Sequence, residues 1–444
     1  MRAPALPFAR PRARDLRGHA LPLAVAAVCA LTVAVGWTAR ALGVVWGTPL
    51  QPFLGTFGFE VSPWAAPGAV VLALCAWQAV RLAPPGAIAP GGFALWALAL
   101  ALISRLAVNV ARMGPQGWSD MYSIAAESAN EYLPALPAVQ DGLGLFLDRF
   151  AEWLPALPVH SAGHPPGLLT TMDLLGFDTA GGLAALIIGV GVLGAPLVYW
   201  LGRELSGEGQ ARLATVLWIF APSALLYGAS AADALFATLG LLAATVLVLR
   251  PAPGLRRAAV PLGAGLLAVA SFFAWSLLGM AAWATFLVAL RDGVRRAALV
   301  TAAIGAALMA FYAALWALTG FEVIEVLRRT EEVYRFSVAS VRPYAFWLFG
   351  SPVAFLIGCG LPVLWFAAKA VQRRDRGALA LAGVIVIASV AGFTKAETER
   401  IWLSFLPLAC LVAATVLPRR WLAPAVAVMA VQAFLTQVLV YTVW

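Results

Sequence analysis

Two of the chain's three histidines, His160 and His164, stand four residues apart in "VHSAGHPPGLL" (159–169), followed at once by two prolines and a glycine. Residues four apart share one face of a helix, so the pair has the spacing of a metal site. Pro165 and Pro166 count against that face, because the residue before a proline is pushed out of helical geometry. The second reading makes the prolines an abrupt entry into the next helix, where a missing N–H is no loss. His164 then sits at a positive helix end, a place that suits a phosphate. Acids lie upstream at Asp120 ("SDMY"), Glu127 and Glu131 ("SANEYL"), and a further acid is Asp233. Cations follow at Arg328, Arg329, Arg335, Arg342, Lys395 and Arg400. Arginine is the side chain best matched to phosphate.

The elements that must hold these residues are membrane helices. Hydrophobic residues make up 62% of the 444 residues and charged residues 11%, where a soluble domain is about one quarter charged. Apolar runs recur near 20–38, 64–81, 93–110, 181–202, 211–228, 232–249, 258–273, 275–290, 298–317, 345–368, 377–394, 401–417 and 421–441. At roughly twenty residues per crossing they predict about thirteen transmembrane helices. The fold class expected is an all-α polytopic membrane protein, one domain over 1–444. In 258–290, "SFFAWS" either turns between two short helices or lies inside one long tilted helix. The N-terminus has the basic-then-apolar pattern of a signal peptide, but its apolar part is long and no small-residue cleavage site follows, so it reads as a retained first span.

The net charge of +9 does not point to nucleic acid, because the basic residues sit in short turns between apolar runs. With Arg2, Arg10, Arg12, Arg14 and Arg17 in the cytoplasm, alternation puts about two thirds of all Lys and Arg inside, as the positive-inside rule expects. About three quarters of the acids fall outside, which that rule does not require. Most of them sit in three outer segments: 111–180, 318–344 and the short 394–400. Within the first, "LGLFLDRFAEWL" (143–154) reads as an amphipathic helix in the membrane interface. A loop this long is more than a connector, and loops on a rigid scaffold are where sites sit. The four cysteines, Cys29, Cys75, Cys359 and Cys410, fall in apolar runs and read as packing residues.

The order of short motifs resembles the GT-C superfamily, integral-membrane glycosyltransferases that use polyprenyl-phosphate sugars. Protein O-mannosyltransferases and aminoarabinose transferases are similar in having an acid in the first large outer loop and then a His-Pro-Pro or Lys-Pro-Pro. A short inner turn, an Ala-Pro and an outer Asp follow. Here these are Asp120 or Glu131, His164-Pro165-Pro166, Gly202-Arg203-Glu204, Ala221-Pro222 and Asp233. The segments "YRFSVASVRPYAFWL" and "KAETERIWL" resemble those of actinobacterial GT-C-like membrane proteins. Two departures stand out: two spans precede the acidic loop where better-known relatives have one, and the usual Asp-Glu pair opening that loop is absent.

The resemblance implies transfer of a sugar from a polyprenyl-phosphate donor to a hydroxyl of a glycan, lipid or protein. The site would face the extracytoplasmic side of the plasma membrane. That chemistry needs a carboxylate base, which is Asp120 or Glu131, and cations for the leaving phosphate. The phosphate is assigned to His164, Arg342, Lys395 and Arg400. Substrate contacts are assigned to Tyr122, Glu127, His160, Asp233, Tyr344 and Glu397. No metal ligand is assigned, and a divalent metal cofactor stays open. Arg105, inside a span, either meets a second phosphate or pairs with an acid in the bundle. No D-x-D, Walker or Rossmann pattern occurs, in keeping with a lipid-phosphate donor. The rival readings are an inactive envelope-assembly partner and a secondary transporter.

Overall fold

The computed structural model describes residues 18–123, 126–250 and 256–442, with side chains described for all of these except 126, 127, 256 and 257. The N-terminal arginines used for orientation and the side chain of Glu127 lie outside the described residues. The described chain is helical almost throughout, as expected. Its one sheet pairs Thr56–Phe57 with Val440–Tyr441, antiparallel, with Thr56 opposite Tyr441.

Among the described residues, six helices are long and apolar enough to cross a membrane: Ala20–Ala41, Ala65–Leu82, Pro90–Met113, Ala180–Ser206, Val294–Thr319 and Arg419–Leu439. The pair Tyr344–Gly358 and Leu361–Gln372 makes a seventh if counted as one span. Four shorter apolar helices accompany them: Asp233–Val248, Ala258–Ser271, Arg376–Ala391 and Leu403–Val416. The thirteen apolar runs therefore do not all become helices of full spanning length. Proline and glycine cut them. The run 211–228 divides at Pro222 into Glu208–Phe220 and Pro222–Leu226. The run 345–368 bends by 114°. There Gly360 takes a φ of +99 that side-chain-bearing residues avoid, and Pro362 opens the second half. The run 258–290 becomes two helices with a turn between, Arg256–Ser271 and Leu278–Asp292.

Burial sorts the helices. Asp233–Val248, Glu208–Phe220 and Leu406–Val416 are short and almost wholly buried. Ala20–Ala41 and Val294–Thr319 are long and turn most of their apolar surface outward. Lipid accepts such side chains, provided each backbone polar group is satisfied within its helix. The helical hairpin Gly194–Ser206 and Glu208–Phe220 packs closely because Gly202 has no side chain: a Cβ there would fall 2.8 Å from Cα of Ala211. At that hairpin's end the buried Arg212 donates to the carbonyls of Leu82, Pro84 and Ile88 and pairs with Glu208 at 2.6 Å, tying down the turn before Pro90.

The three acidic segments meet at the opposite end. The stretch 143–154 breaks at Arg149 into Leu143–Asp148 and Phe150–Trp153. Its apolar side packs on protein, with the rings of Phe150 and Phe321 6.2 Å apart, while Asp148, Arg149 and Glu152 face outward. Val323–Phe336 is a separate helix laced by its own ion pairs, Glu325 with Arg329 at 3.0 Å and Arg329 with Glu332 at 3.1 Å.

This arrangement predicts sidedness. Single cysteines at Glu152 and Glu332 should react with a membrane-impermeant maleimide from the same side of sealed vesicles, and one at Arg296 only from the other. The four native cysteines are buried and leave a low background. Labelling of Glu152→Cys and Glu332→Cys from opposite sides would break the arrangement.

Candidate functional site

The site is built around the loop that follows Arg376–Ala391. Ala396 and Glu397 adopt φ of +67 and +59, a left-handed backbone that costs non-glycine residues about 1–3 kcal/mol each. A dense set of hydrogen bonds holds it. Thr398 Oγ1 donates to the Ser351 carbonyl at 2.5 Å, and Trp402 Nε1 donates to Thr394 Oγ1 at 2.9 Å. The Lys395 N–H donates to the Tyr334 hydroxyl at 2.7 Å, and Arg342 Nη1 donates to the Lys395 carbonyl at 2.6 Å.

That loop carries one half of a buried chain of charges. Asp233 Oδ2 meets Arg400 Nη1 at 2.5 Å, Arg400 Nη2 meets Glu397 Oε2 at 2.8 Å, and Glu397 Oε1 meets Arg342 Nη2 at 2.5 Å. None of the four side chains is more than 12% exposed. Burial opposes the charge on Glu397, but Arg400 and Arg342 overcome it and hold the carboxyl at about 2. Burial likewise opposes the Arg400 charge, and Asp233 and Glu397 raise its pKa in spite of it.

Glu131 and His160 come up to this chain from the first long loop, with Oε1 and Nε2 3.8 Å apart and both side chains nearly covered. Burial, then Arg400, pushes His160 down to about 3. Burial pushes His164, whose ring lies 5.2 Å from that of Phe236, down to about 4. Both imidazoles are therefore neutral at ordinary pH. The phenols of Tyr122 and Tyr132 are fully enclosed and raised by burial, then by Glu131 and Asp233.

Several sequence expectations change here. His160 lies in the short helix Val159–Gly163, whereas His164 is extended at φ −128, as a residue before proline should be. The pair shares no helix face, and among the described residues no group of three or more His, Cys, Asp or Glu is arranged to hold a metal ion. The prolines do mark a helix entry, since Gly167–Leu175 begins directly after them. The first N–H of that helix, from Gly167, is taken by the Phe272 carbonyl at 2.8 Å. The helix end therefore does not offer that donor to a phosphate. Arg105 forms no ion pair with an acid among the described residues. Its Nη1 donates to the Gly228 carbonyl at 3.3 Å and its guanidinium lies over Trp218. One turn on, Asn109 donates to the Leu225 carbonyl at 3.0 Å. Together they pin the turn that ends at Asp233.

Of the remaining predicted residues, Asp120 ends the short helix Gly117–Asp120 and forms no ion pair among the described residues. Lys395 engages through its backbone, as described. Tyr344 is exposed, and its hydroxyl donates to the Val390 carbonyl at 2.6 Å, so it closes the end of a helix. Arg328, Arg329 and Arg335 are spent on ion pairs within their own helix.

Two features were missed. Glu399 is buried, with Oε1 accepting the Leu54 N–H at 2.8 Å and no hydrogen-bond partner for Oε2 among the described residues. Burial raises it to about 7. The loop 42–64 that reaches it also sends the Trp46 carbonyl to Trp347 Nε1 at 2.9 Å. Its length and its Gly and Pro content were the available signal. A scan against protein-family models finds no match to this chain, and no curated protein matches it.

The arrangement can seat an anion between two guanidiniums and take up a proton beside it. Breaking one link leaves a buried charge alone. Arg400→Ala or Asp233→Asn should each cost about 3–5 kcal/mol, read as a fall in unfolding temperature in detergent. Combining Asp233→Asn with Arg400→Met should cost less than the sum of the two single changes.

The buried groups also set the pH dependence. As pH falls below 6.5, the unfolded chain protonates its histidines before the folded one does, so stability drops toward pH 4. Glu397 adds a loss from pH 4.5 toward 2. Glu399 works the other way: the fold keeps a proton that the unfolded chain releases, so stability is lost as pH rises from 4.5 through 7. Glu399→Gln keeps the acceptor for Leu54 and should gain on the wild type between pH 5 and 8 in melting curves. A gain that does not change with pH would refute the assignment.

Proposed function

We propose that the protein is a glycosyltransferase of GT-C type, moving a sugar from a polyprenyl-phosphate donor to a hydroxyl on the extracytoplasmic face of the plasma membrane. The observation that carries this reading is the convergence of Asp233, Arg342, Glu397 and Arg400 with Glu131, His160 and His164 at one end of an apolar bundle. A bilayer delivers a lipid phosphate to that depth. The motif order from Asp120 to Asp233 adds the sugar, by resemblance alone.

In this mechanism Glu131 takes the proton of the acceptor hydroxyl. The new bond forms between that oxygen and the anomeric carbon as the bond from that carbon to the phosphate oxygen breaks, with inversion. The lipid phosphate leaves with the bonding electron pair, and Arg400 and Arg342 hold its charge. His160, neutral, is placed to orient Glu131, and His164 and Tyr122 line the substrate. Glu131 is preferred to Asp120 as the base because it lies beside His160 with its carboxylate nearly covered. The acceptor hydroxyl belongs to a glycan, lipid or protein.

Transfer of a radiolabelled sugar from short-chain polyprenyl-phosphate donors in proteoliposomes tests it. Glu131→Gln should keep donor binding and lose about a hundred- to ten-thousand-fold in rate, while Asp120→Asn should retain most turnover. Near-normal turnover in Glu131→Gln would remove Glu131 as base. Wild-type protein that transfers nothing from any such donor would favour an assembly partner over an enzyme.

A further inference from the structure

The two arginines best placed for an anion already hold one. Arg342 and Arg400 approach the Glu397 carboxylate from different segments, each taking one oxygen, at 2.5 and 2.8 Å. A phosphate held between two guanidiniums would present its oxygens in the same way. Glu397 reaches this position on a left-handed backbone shared with Ala396, which neither residue adopts readily. The seat is also incompletely filled. Arg342 Nε, in a side chain only 5% exposed, has no hydrogen-bond partner among the described residues, and neither does the enclosed Tyr122 hydroxyl. Arginine binds oxyanions best through two parallel N–H groups, and the carboxylate meets Arg342 through Nη2 alone.

We propose that Glu397 is a built-in substitute for the ligand's anionic group, and that a phosphate enters by displacing its carboxylate from between Arg342 and Arg400. The lipid identity of that phosphate rests on the function proposed above; the displacement does not. Asp233 remains on Arg400 through the other terminal nitrogen. Asp233, Glu397, Arg342 and Arg400 balance among themselves in the closed state, so one singly charged phosphodiester in place of the Glu397 carboxylate leaves the charge of the seat unchanged. A diphosphate would add negative charge where burial penalises it most. The seat therefore favours a singly charged phosphodiester over a diphosphate. Release of Glu397 lets Ala396 and Glu397 leave the left-handed region, which offsets part of the cost of opening the ion pairs.

The test uses full-length protein in nanodiscs, titrated with a short-chain isoprenyl methyl phosphodiester and, separately, with inorganic phosphate. Glu397→Gln removes the internal anion and should tighten phosphodiester binding at least tenfold. Ala396→Gly makes the left-handed backbone easy, stabilises the closed loop and should weaken binding. These opposite directions are not what a merely structural loop would give. Adding Arg342→Gln to Glu397→Gln should abolish the gain. A Glu397→Gln protein that binds no tighter than wild type overturns the displacement; if that variant does not fold, unchanged or tighter binding by Ala396→Gly overturns it. Tighter binding of inorganic phosphate with no binding of the isoprenyl probe by any form supports displacement by a free anion and overturns the lipid reading. Wild-type sugar transfer with both variants unchanged in binding overturns the displacement and leaves the lipid reading standing.

Discussion

A buried guanidinium must be neutralised where it stands, and Arg400 imposes that demand on the end of the molecule where the acidic segments meet. In a low-dielectric setting an unpaired charge is costly, and a paired one is stable only with close geometry and its other donors met. Asp233 and Glu397 meet Arg400 from opposite sides, and Arg342 then balances Glu397. Asp233, Arg342 and the loop bearing both Glu397 and Arg400 come from three different stretches of chain. The first of these charges can be desolvated only if the others arrive with it. The turn before Asp233 is held from a neighbouring span by Arg105 and Asn109. The loop bearing Glu397 is held from Ser351 and Tyr334.

This mutual neutralisation shapes what the site can do. Neutral histidines beside a balanced ion chain give no standing positive field to attract anions from afar. In the displacement proposed above one anion exchanges for another, and release of the left-handed backbone at Ala396 and Glu397 offsets part of its cost. Glu131 lies beside His160, with both side chains nearly covered. Glu399 differs from Glu397 in forming no ion pair among the described residues, and burial pushes it up to about 7.

The helices around the site divide the labour. Two of the long apolar helices, Ala20–Ala41 and Val294–Thr319, are the least buried of the six and turn most of their apolar surface outward. The shortest, such as Asp233–Val248, are shielded by the others, and one of them delivers Asp233 at its first turn, where a negative charge is favoured by the helix dipole. A buried short helix with an acid at its mouth brings charge below the surface without exposing polar groups to lipid.

The sequence by itself determined the class of the molecule. A composition of 62% hydrophobic residues in repeated runs leaves helices as the only way to satisfy the backbone in lipid, and the period of those runs is a local property. It also singled out Glu131, His160, His164, Asp233, Arg342, Glu397 and Arg400, because polar residues are rare enough here to stand out. It could not divide the apolar runs into full spans and short buried helices, since a run reads the same whether lipid or protein surrounds it. Nor could it see Arg105 as a clamp on a turn, or find Glu399 and the 42–64 loop. Those depend on which distant segments come together, a property of the tertiary structure alone.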